Sequence, residues 1–373
     1  MRILAAADSV AFAELLELCR AREAKSRFAA NGTFIRQRRG ARDYWYYRGY
    51  ERPANGDAGR STLVYVGVVG DAEIETLVAA HVARNATYKT RRALAARLRR
   101  SGLPTPQPIE GAILQVLADA GLYAAGSTLV GTAAFQTYGG LLGVMLQSYR
   151  TQDIDLAQTG GLRVGGRVAP SDLLADLKAV DASFAPFFHA TSPRLAAGVR
   201  NASGFGVEFL TPLRRASSQA LAEVAGVPGL GAQRLRFLEY LIAGPVTSVV
   251  LHDAGIAVQV PQPMRFAVHK IMLTALRSGT SPKSAKDAAQ AALLVEAAKA
   301  ARLGIELGTA WLDAWQRGPS WRKTLRAGGL KLDASTLHIL AEATREAAIL
   351  AGESCPFGDG DDPRRALLAS TRV

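Results

Sequence analysis

Two aspartates one residue apart, Asp153 and Asp155, stand in the run Gln152-Asp153-Ile154-Asp155-Leu156. On a strand, side chains alternate across the sheet, so both carboxylates project from one face. Side by side they repel, which is costly unless a cation lies between them. A hard divalent ion satisfies such oxygen ligands, and Mg²⁺ is the usual ion where substrate phosphates complete the shell. Upstream, Leu129-Val130-Gly131-Thr132 is a short apolar run ending in a glycine and a small hydroxyl residue. A helical pattern follows it, with apolar positions at Ala133, Ala134, Phe135, Tyr138, Leu141 and Leu142. A tight Gly131-Thr132 turn opening a helix would offer backbone N–H groups to a phosphate. Paired carboxylates beside such a turn suit nucleotidyl transfer.

The stretch resembles the signature of the DNA polymerase β-like nucleotidyltransferase superfamily: a Gly-Gly or Gly-Ser turn, a helix, then Asp-x-Asp on the next strand. Within it, Val130-Gly131-Thr132-Ala133 followed by Arg150-Thr151-Gln152-Asp153-Ile154-Asp155-Leu156 most resembles the AbiEii/MenT-like toxin nucleotidyltransferases and related bacterial proteins. The gap between turn and first aspartate is longer than the superfamily's usual, as if residues 139–148 were inserted. A second turn, Gly126-Ser127, lies farther still from Asp153.

The resemblance implies a third acid on a later strand, and Glu208, the lone acid between Val207 and Phe209, takes that place. An isolated buried carboxylate is expensive unless paired or metal-bound. The alternative for Glu208 is a rim position beside an arginine. The resemblance further implies a nucleoside triphosphate substrate and two Mg²⁺ ions bridged by Asp153 and Asp155, with Glu208 completing the second. Gly131 and Thr132 would hold the triphosphate. Arg150 would neutralise charge there, or pair with an aspartate. A Lys-rich helix followed by Lys-Asp at the start of the next resembles the AbiEii-like pattern. That maps Lys270 and Lys286 as phosphate contacts and Asp287 as an orienting acid. A solvated lysine face and an ordinary Lys-Asp pair are the plainer alternatives.

The elements that must position these groups follow from periodicity. Residues 9–24 read as a helix with Phe12, Leu15, Leu16 and Cys19 on one side and Asp8 or Ser9 as cap. Strands are expected at 32–37, 43–50 and 62–68, with turns at Asn31-Gly32, Arg39-Gly40 and Asn55-Gly56. Residues 71–101 read as one long helix, stopped by Gly102 and by Pro104, Pro106 and Pro108. Helices are expected at 109–120 and 172–180, and a strand at 184–189. Residues 195–199 and 205–210 flank a hairpin signal, Asn201-Ala202-Ser203-Gly204. Short strands fill 241–261. Pro261-Gln262-Pro263 then leads into helices at 264–277, from Ser281-Pro282 onward, and at 336–350 as the last. Trp311, Trp315 and Trp321 fall between helices, and an acidic, turn-rich tail at 358–362 is expected to be mobile. The fold class is α+β. A polymerase β-like nucleotidyltransferase core of mixed sheet and helices spans 104–262. A small N-terminal α/β region spans 1–103, and a helical C-terminal domain spans 263–373.

The chain has 373 residues and a formal net charge of +13, so its surface should attract polyanions. Tyr44, Trp45, Tyr46, Tyr47 and Tyr50 lie among Arg36, Arg38, Arg39, Arg42 and Arg48, a mixture able to stack on bases and hold phosphates. The plainer reading is a small sheet with one aromatic face in the core. The long helix adds Arg84, Lys89, Arg91, Arg92, Arg97, Arg99 and Arg100, part of which suits a helix C-terminus. RNA, transfer RNA included, is the favoured acceptor, and a toxin-like role accompanies the resemblance. A protein acceptor is the alternative, as is a non-catalytic nucleic-acid-binding protein on the same scaffold. Two distant cysteines and five scattered histidines form neither a disulfide framework nor a zinc pattern, which fits a reducing cytoplasm. Asp8 argues against a signal peptide, and the glycines and polar residues of 120–149 argue against a membrane helix.

Overall fold

The computed structural model describes residues 1–21, 26–51, 60–158, 173–189, 192–213, 220–224, 227, 229–277, 281–358, 360 and 362–369. The expected turn at Asn55-Gly56, the end of the first helix near Ala24, the start of another at Asp172 and part of the acidic tail lie outside them.

The chain opens with a short strand, β1 (Arg2–Ile3), and α1 (Ala6–Arg20). The helix starts three residues earlier than its apolar spacing suggests. Asp8 sits inside its first turn and pairs with Arg97 at 3.0 Å. Three antiparallel strands follow, β2 (Thr33–Arg39), β3 (Arg42–Glu51) and β4 (Arg60–Val68), and then the 29-residue helix α2 (Ala72–Arg100). Asp71 caps α2 by accepting from the N–H groups of Glu73 and Ile74. Alternation along the strands turns Phe34, Trp45, Tyr47 and Val66 inward, where they pack with Phe28 and Val78.

The C-terminal half of α2 packs on α1 in a second apolar cluster. Its arginines tie the helix to the backbone of residues 251–255. Arg91 donates to the carbonyls of Ala254 and Gly255 at 3.2 and 2.7 Å, and Arg99 to those of Leu251 and Asp253 at 3.4 and 3.1 Å. Much of the basic excess on this helix is therefore structural, which takes those residues out of the polyanion argument.

The central unit begins with α3 (Pro108–Asp119), β5 (Thr128–Val130), α4 (Gly131–Phe135), α5 (Tyr138–Leu142) and β6 (Val144–Met145). The extra residues before Asp153 have a visible use: β6 pairs antiparallel with β1. Next come β7 (Asp153–Ala157), α6 (Leu173–Val180), β8 (Ala185–His189), β9 (Ser192–Arg200), β10 (Gly206–Pro212), β11 (Ala222–Glu223) and β12 (Gly231–Leu235). Among the described residues β5 and β7–β12 form one mixed sheet. Its order is β11-β12-β10-β7-β5, with β9 on β10 and β8 on β9. β7, β10 and β12 run parallel, and the other pairings are antiparallel. A short helix, α7 (Leu238–Leu241), and the hairpin β13 (Val246–Val250) and β14 (Ile256–Val260) follow.

The C-terminal region holds α8 (Pro263–Leu276), α9 (Pro282–Ala300), α10 (Gly304–Gln316), α11 (Pro319–Gly329), α12 (Ala334–Ala351) and α13 (Pro363–Ala369). α12 is not the last helix: α13 follows it and buries Leu367. The architecture is α+β, a mixed sheet with helices around it and a helical C-terminal region. One apolar cluster runs from Ile113 through the sheet to Phe357 and Leu367. The change at 262 and 263 is thus from strands to helices within a shared core. Nearly every residue of α8 from Met264 to Thr274 is buried. Its ring Phe266 meets Phe135 of α4 at 6.2 Å and Tyr138 of α5 at 5.2 Å. These ring contacts hold α8 against α4 and α5, the helices that follow β5. Among the described residues no helix is long and apolar enough to cross a membrane.

Candidate active site

Strand register gathers the acids. Glu208 lies directly beside Asp155 in the parallel pair of β10 and β7, and Gly206 lies beside Asp153. Neighbouring strands keep paired residues on one face, so Asp153, Asp155 and Glu208 share it. The opposite face carries Ile154, Leu156, Val207 and Phe209, all buried in the core. On the far side of β7, Val130 pairs with Asp155, which delivers Gly131 to the edge of the acids. Gly131 has φ +68°, and a Cβ there would lie 2.5 Å from Asp155 Oδ2. Two separate demands, a left-handed backbone and a close carboxylate, therefore call for glycine. Thr132 is buried in the first turn of α4. α4 has only five residues, too few for a strong dipole, so individual N–H groups must do any phosphate holding there.

Facing Gly131, Thr132, Asp153 and Asp155 across a cleft of about 180 Å³ are α8 and the start of α9, while Glu208, on the neighbouring strand, does not line it. Its cationic wall consists of Lys270, Arg277, Lys283 and Lys286, with Asp287 beneath. Lys270 Nζ donates to Asp287 Oδ1 at 2.7 Å, and Arg277 donates to the other oxygen, in a nearly dry setting. Burial pulls the Lys270 ammonium below the usual lysine range, and Asp287 works against that. Lys286 donates to the Arg150 carbonyl at 3.1 Å. The Arg150 side chain is exposed and does not line the cleft, so this residue enters the site through its backbone. Leu235, Leu238, Leu241 and Phe266 form an apolar end.

The electrostatics divide the cleft. Burial first, then repulsion from Glu208 and Asp153, pushes the Asp155 carboxyl up to about 6. Burial and then Asp153 raise Glu208 as well. A set of crowded carboxylate oxygens is the donor chemistry a hard divalent ion takes, so Asp153, Asp155 and Glu208 suit such an ion by type. Among the described residues no group of three His, Cys, Asp or Glu side chains converges tightly enough to enclose one. Arg200 bridges Asp153 and Glu208 instead, at 3.4 and 2.9 Å.

The sequence reading missed Arg200, Arg277, Lys283 and His269. Arg277 had a signal, because seven residues separate it from Lys270 and place both on one helix face. Lys283 stands one turn before Asp287 on α9. His269 lines the cleft, and burial first, then Lys270 and Arg277, keep its ring neutral with a pKa lowered to about 3.

No curated protein matches the chain. A solved structure, an antigenic nucleotidyltransferase-like protein from Paracoccidioides brasiliensis, is 17% identical and covers 61% of this chain and 96% of its own, with a TM-score of 0.28. So distant a likeness carries nothing about this chain's chemistry. Residues 109–316 match the family profile described as nucleotidyltransferase, a span that takes in the turn, all three acids, the hairpin and the cationic wall. The chain belongs to this nucleotidyltransferase family.

Proposed function

We propose that the protein is a cytoplasmic, metal-dependent nucleotidyltransferase that moves a nucleoside monophosphate from a nucleoside triphosphate to an acceptor hydroxyl, with RNA the favoured acceptor. The observation that carries it is the register that sets Glu208 beside Asp155, on the face shared with Asp153 and opposite Lys270 and Lys286. Two Mg²⁺ ions held by Asp153, Asp155 and Glu208 would supply Lewis-acid charge to the attacking and leaving oxygens. The chain's own residues do the rest. Lys270, Lys283, Lys286 and Arg277 offset the charge of the triphosphate, and Asp287 fixes the first and last of these. Gly131 lets the substrate approach Asp155 without a side chain between. The apolar end at Leu235, Leu238 and Phe266 would receive the base. The acceptor oxygen attacks the α-phosphorus, the bond to the bridging oxygen breaks, and pyrophosphate leaves.

The acceptor reading rests on the N-terminal sheet. Between residues 27 and 51 six arginines face two acids. On the side of the sheet away from its core, Tyr65 meets Tyr46 at 5.7 Å and Tyr44 at 6.0 Å, and Arg39 lies over Tyr46 at 5.3 Å. Tyr50 and Tyr65 remain exposed. Exposed rings beside guanidinium groups suit bases and phosphates of a single strand. The likeness of the Gly-Thr and Asp-Ile-Asp stretch to AbiEii/MenT-like enzymes supports a toxin-like use of that activity.

Filter binding of cell RNA across a salt series tests the acceptor. RNA predicts a steep loss of binding, with a log–log slope of about −0.7 per phosphate contact. Replacing Tyr65 and Arg48 with alanine should weaken RNA binding and spare nucleotide binding. A flat series, with label from the triphosphate appearing on protein, would move the acceptor to a protein hydroxyl.

A further inference from the structure

The hairpin of β9 and β10 pairs Arg200 with Gly206, and Gly206 pairs in turn with Asp153 on β7. Arg200, Gly206 and Asp153 therefore form one row across three strands. Glu208 and Asp155 form the next row on the same face. The middle of the first row is bare. A Cβ on Gly206 would stand 3.1 Å from Arg200 Nε, so glycine there leaves the guanidinium a path over the sheet. Along that path Arg200 Nη2 donates to Asp153 Oδ1 at 3.4 Å and to Glu208 Oε1 at 2.9 Å. The guanidinium also rests over the Phe187 ring, 4.6 Å from its centroid. Asp155 receives no such bond from Arg200.

Resting on the metal-dependent reading above, we propose that Arg200 is a resident cation at the Asp153–Glu208 edge of the acid cluster. As a positioning residue it holds Asp153 and Glu208 together, and a divalent ion entering that edge must displace it. The arrangement follows from charge. Two half-exposed carboxylates on adjacent strands repel, and one guanidinium spanning both relieves them without closing the cleft. Arg200 is itself 41% exposed in its side chain, so it can leave the acids without unpacking the core. Metal uptake at this edge is then an exchange of cations.

Binding of Mn²⁺ alone, followed by electron paramagnetic resonance, tests this without reference to turnover. Arg200→Gln should bind Mn²⁺ on the order of tenfold more tightly at low salt, the effect of removing one charge about 5 Å from a divalent ion in a nearly aqueous setting. Arg200→Lys keeps the charge and should stay close to the parent. A purely structural role predicts the reverse, because acids no longer held together bind an ion less well. Unchanged or weaker binding by Arg200→Gln would overturn the proposal. Should that variant not fold, side-chain nitrogen resonances of the parent protein decide. Mg²⁺ should speed exchange of the Arg200 Nε–H, and a signal indifferent to Mg²⁺ would overturn the proposal equally. No Mn²⁺ binding by any of these proteins would overturn the metal-dependent reading, and the role of Arg200 with it. Binding that ignores the charge at 200 overturns only the latter.

Discussion

Asparagine at position 287 would keep the shape of a buried carboxylate and remove the charge that Lys270 and Arg277 share. The side chains of Asp287 and Lys270 are 2% and 9% exposed, with 2.7 Å between donor and acceptor. Removing one partner of a buried pair costs about 3–5 kcal/mol, because the other charge is left in a poor solvent. Asparagine still accepts one hydrogen bond, so the low end, about 3 kcal/mol, is expected for Asp287→Asn. The loss should depend on pH in a definite direction. Burial already holds Lys270 below the usual lysine value, and removing Asp287 removes the main influence raising it. Between the lowered folded value and the unfolded one near 10.4, the unfolded chain binds more protons, so stability rises with pH by up to about 1.4 kcal/mol per unit. The deficit is therefore largest at neutral pH and shrinks toward pH 9.5. Urea denaturation of the parent, Asp287→Asn, Lys270→Met and the double variant at both pH values measures it. Lys270→Met in the Asp287→Asn background should recover part of the loss, since an apolar side chain replaces a stranded charge. A cost under about 1 kcal/mol for Asp287→Asn, indifferent to pH, would refute the view of Asp287 as the orienting acid of this wall.

Two further predictions concern Gly131 beside the acids and Glu110 on α3. Gly131→Ala should cost about 1–2 kcal/mol for a left-handed backbone and should also weaken Mn²⁺ binding, because Asp155 must shift to admit the methyl group; parent-like affinity in that variant would contradict the close approach. Glu110, 1% exposed, accepts from the Gln107 N–H with one oxygen and leaves the other without a partner. Burial pushes its carboxyl up to about 7 from 4.5. The folded chain binds more protons in that window, so stability falls as pH rises through it, by at most roughly 3 kcal/mol. Glu110→Gln keeps an acceptor for Gln107. It should raise the melting temperature at pH 8 and leave it nearly unchanged at pH 4.5, and an equal shift at both pH values would refute the account.

The acids were legible because their signal is local. Alternation places Asp153 and Asp155 on one face of any strand that contains them, and a lone Glu208 in an apolar strand stands out on solvation grounds. Register is less local. That Glu208 falls beside Asp155 depends on β10 entering parallel to β7, which no short window encodes. Arg200 was invisible for a related reason. Its partners lie on two other strands, and its reach depends on the missing side chain of Gly206. On α2, composition misled. Arg91 and Arg99 read as free surface charge, whereas they hold backbone carbonyls at the turn between β13 and β14, 152 to 164 residues away in sequence. The pairing of β6 with β1 likewise joins segments more than 140 residues apart. The three N-terminal strands and the long helix, by contrast, follow from turn residues, alternation and the Asp71 cap, all within a few positions of one another.

The most direct test of the central claim is transfer itself. Each of the four nucleoside triphosphates, labelled at the α-phosphate, is incubated with Mg²⁺ and total cell RNA or protein. Parent protein is compared with Asp153→Asn and Asp155→Asn after melting curves have shown all three folded. The account predicts covalently attached label with the parent protein, none with either variant, and unchanged melting. Parent-like labelling by either aspartate variant, or no labelling by the parent with any triphosphate and either acceptor pool, would contradict it.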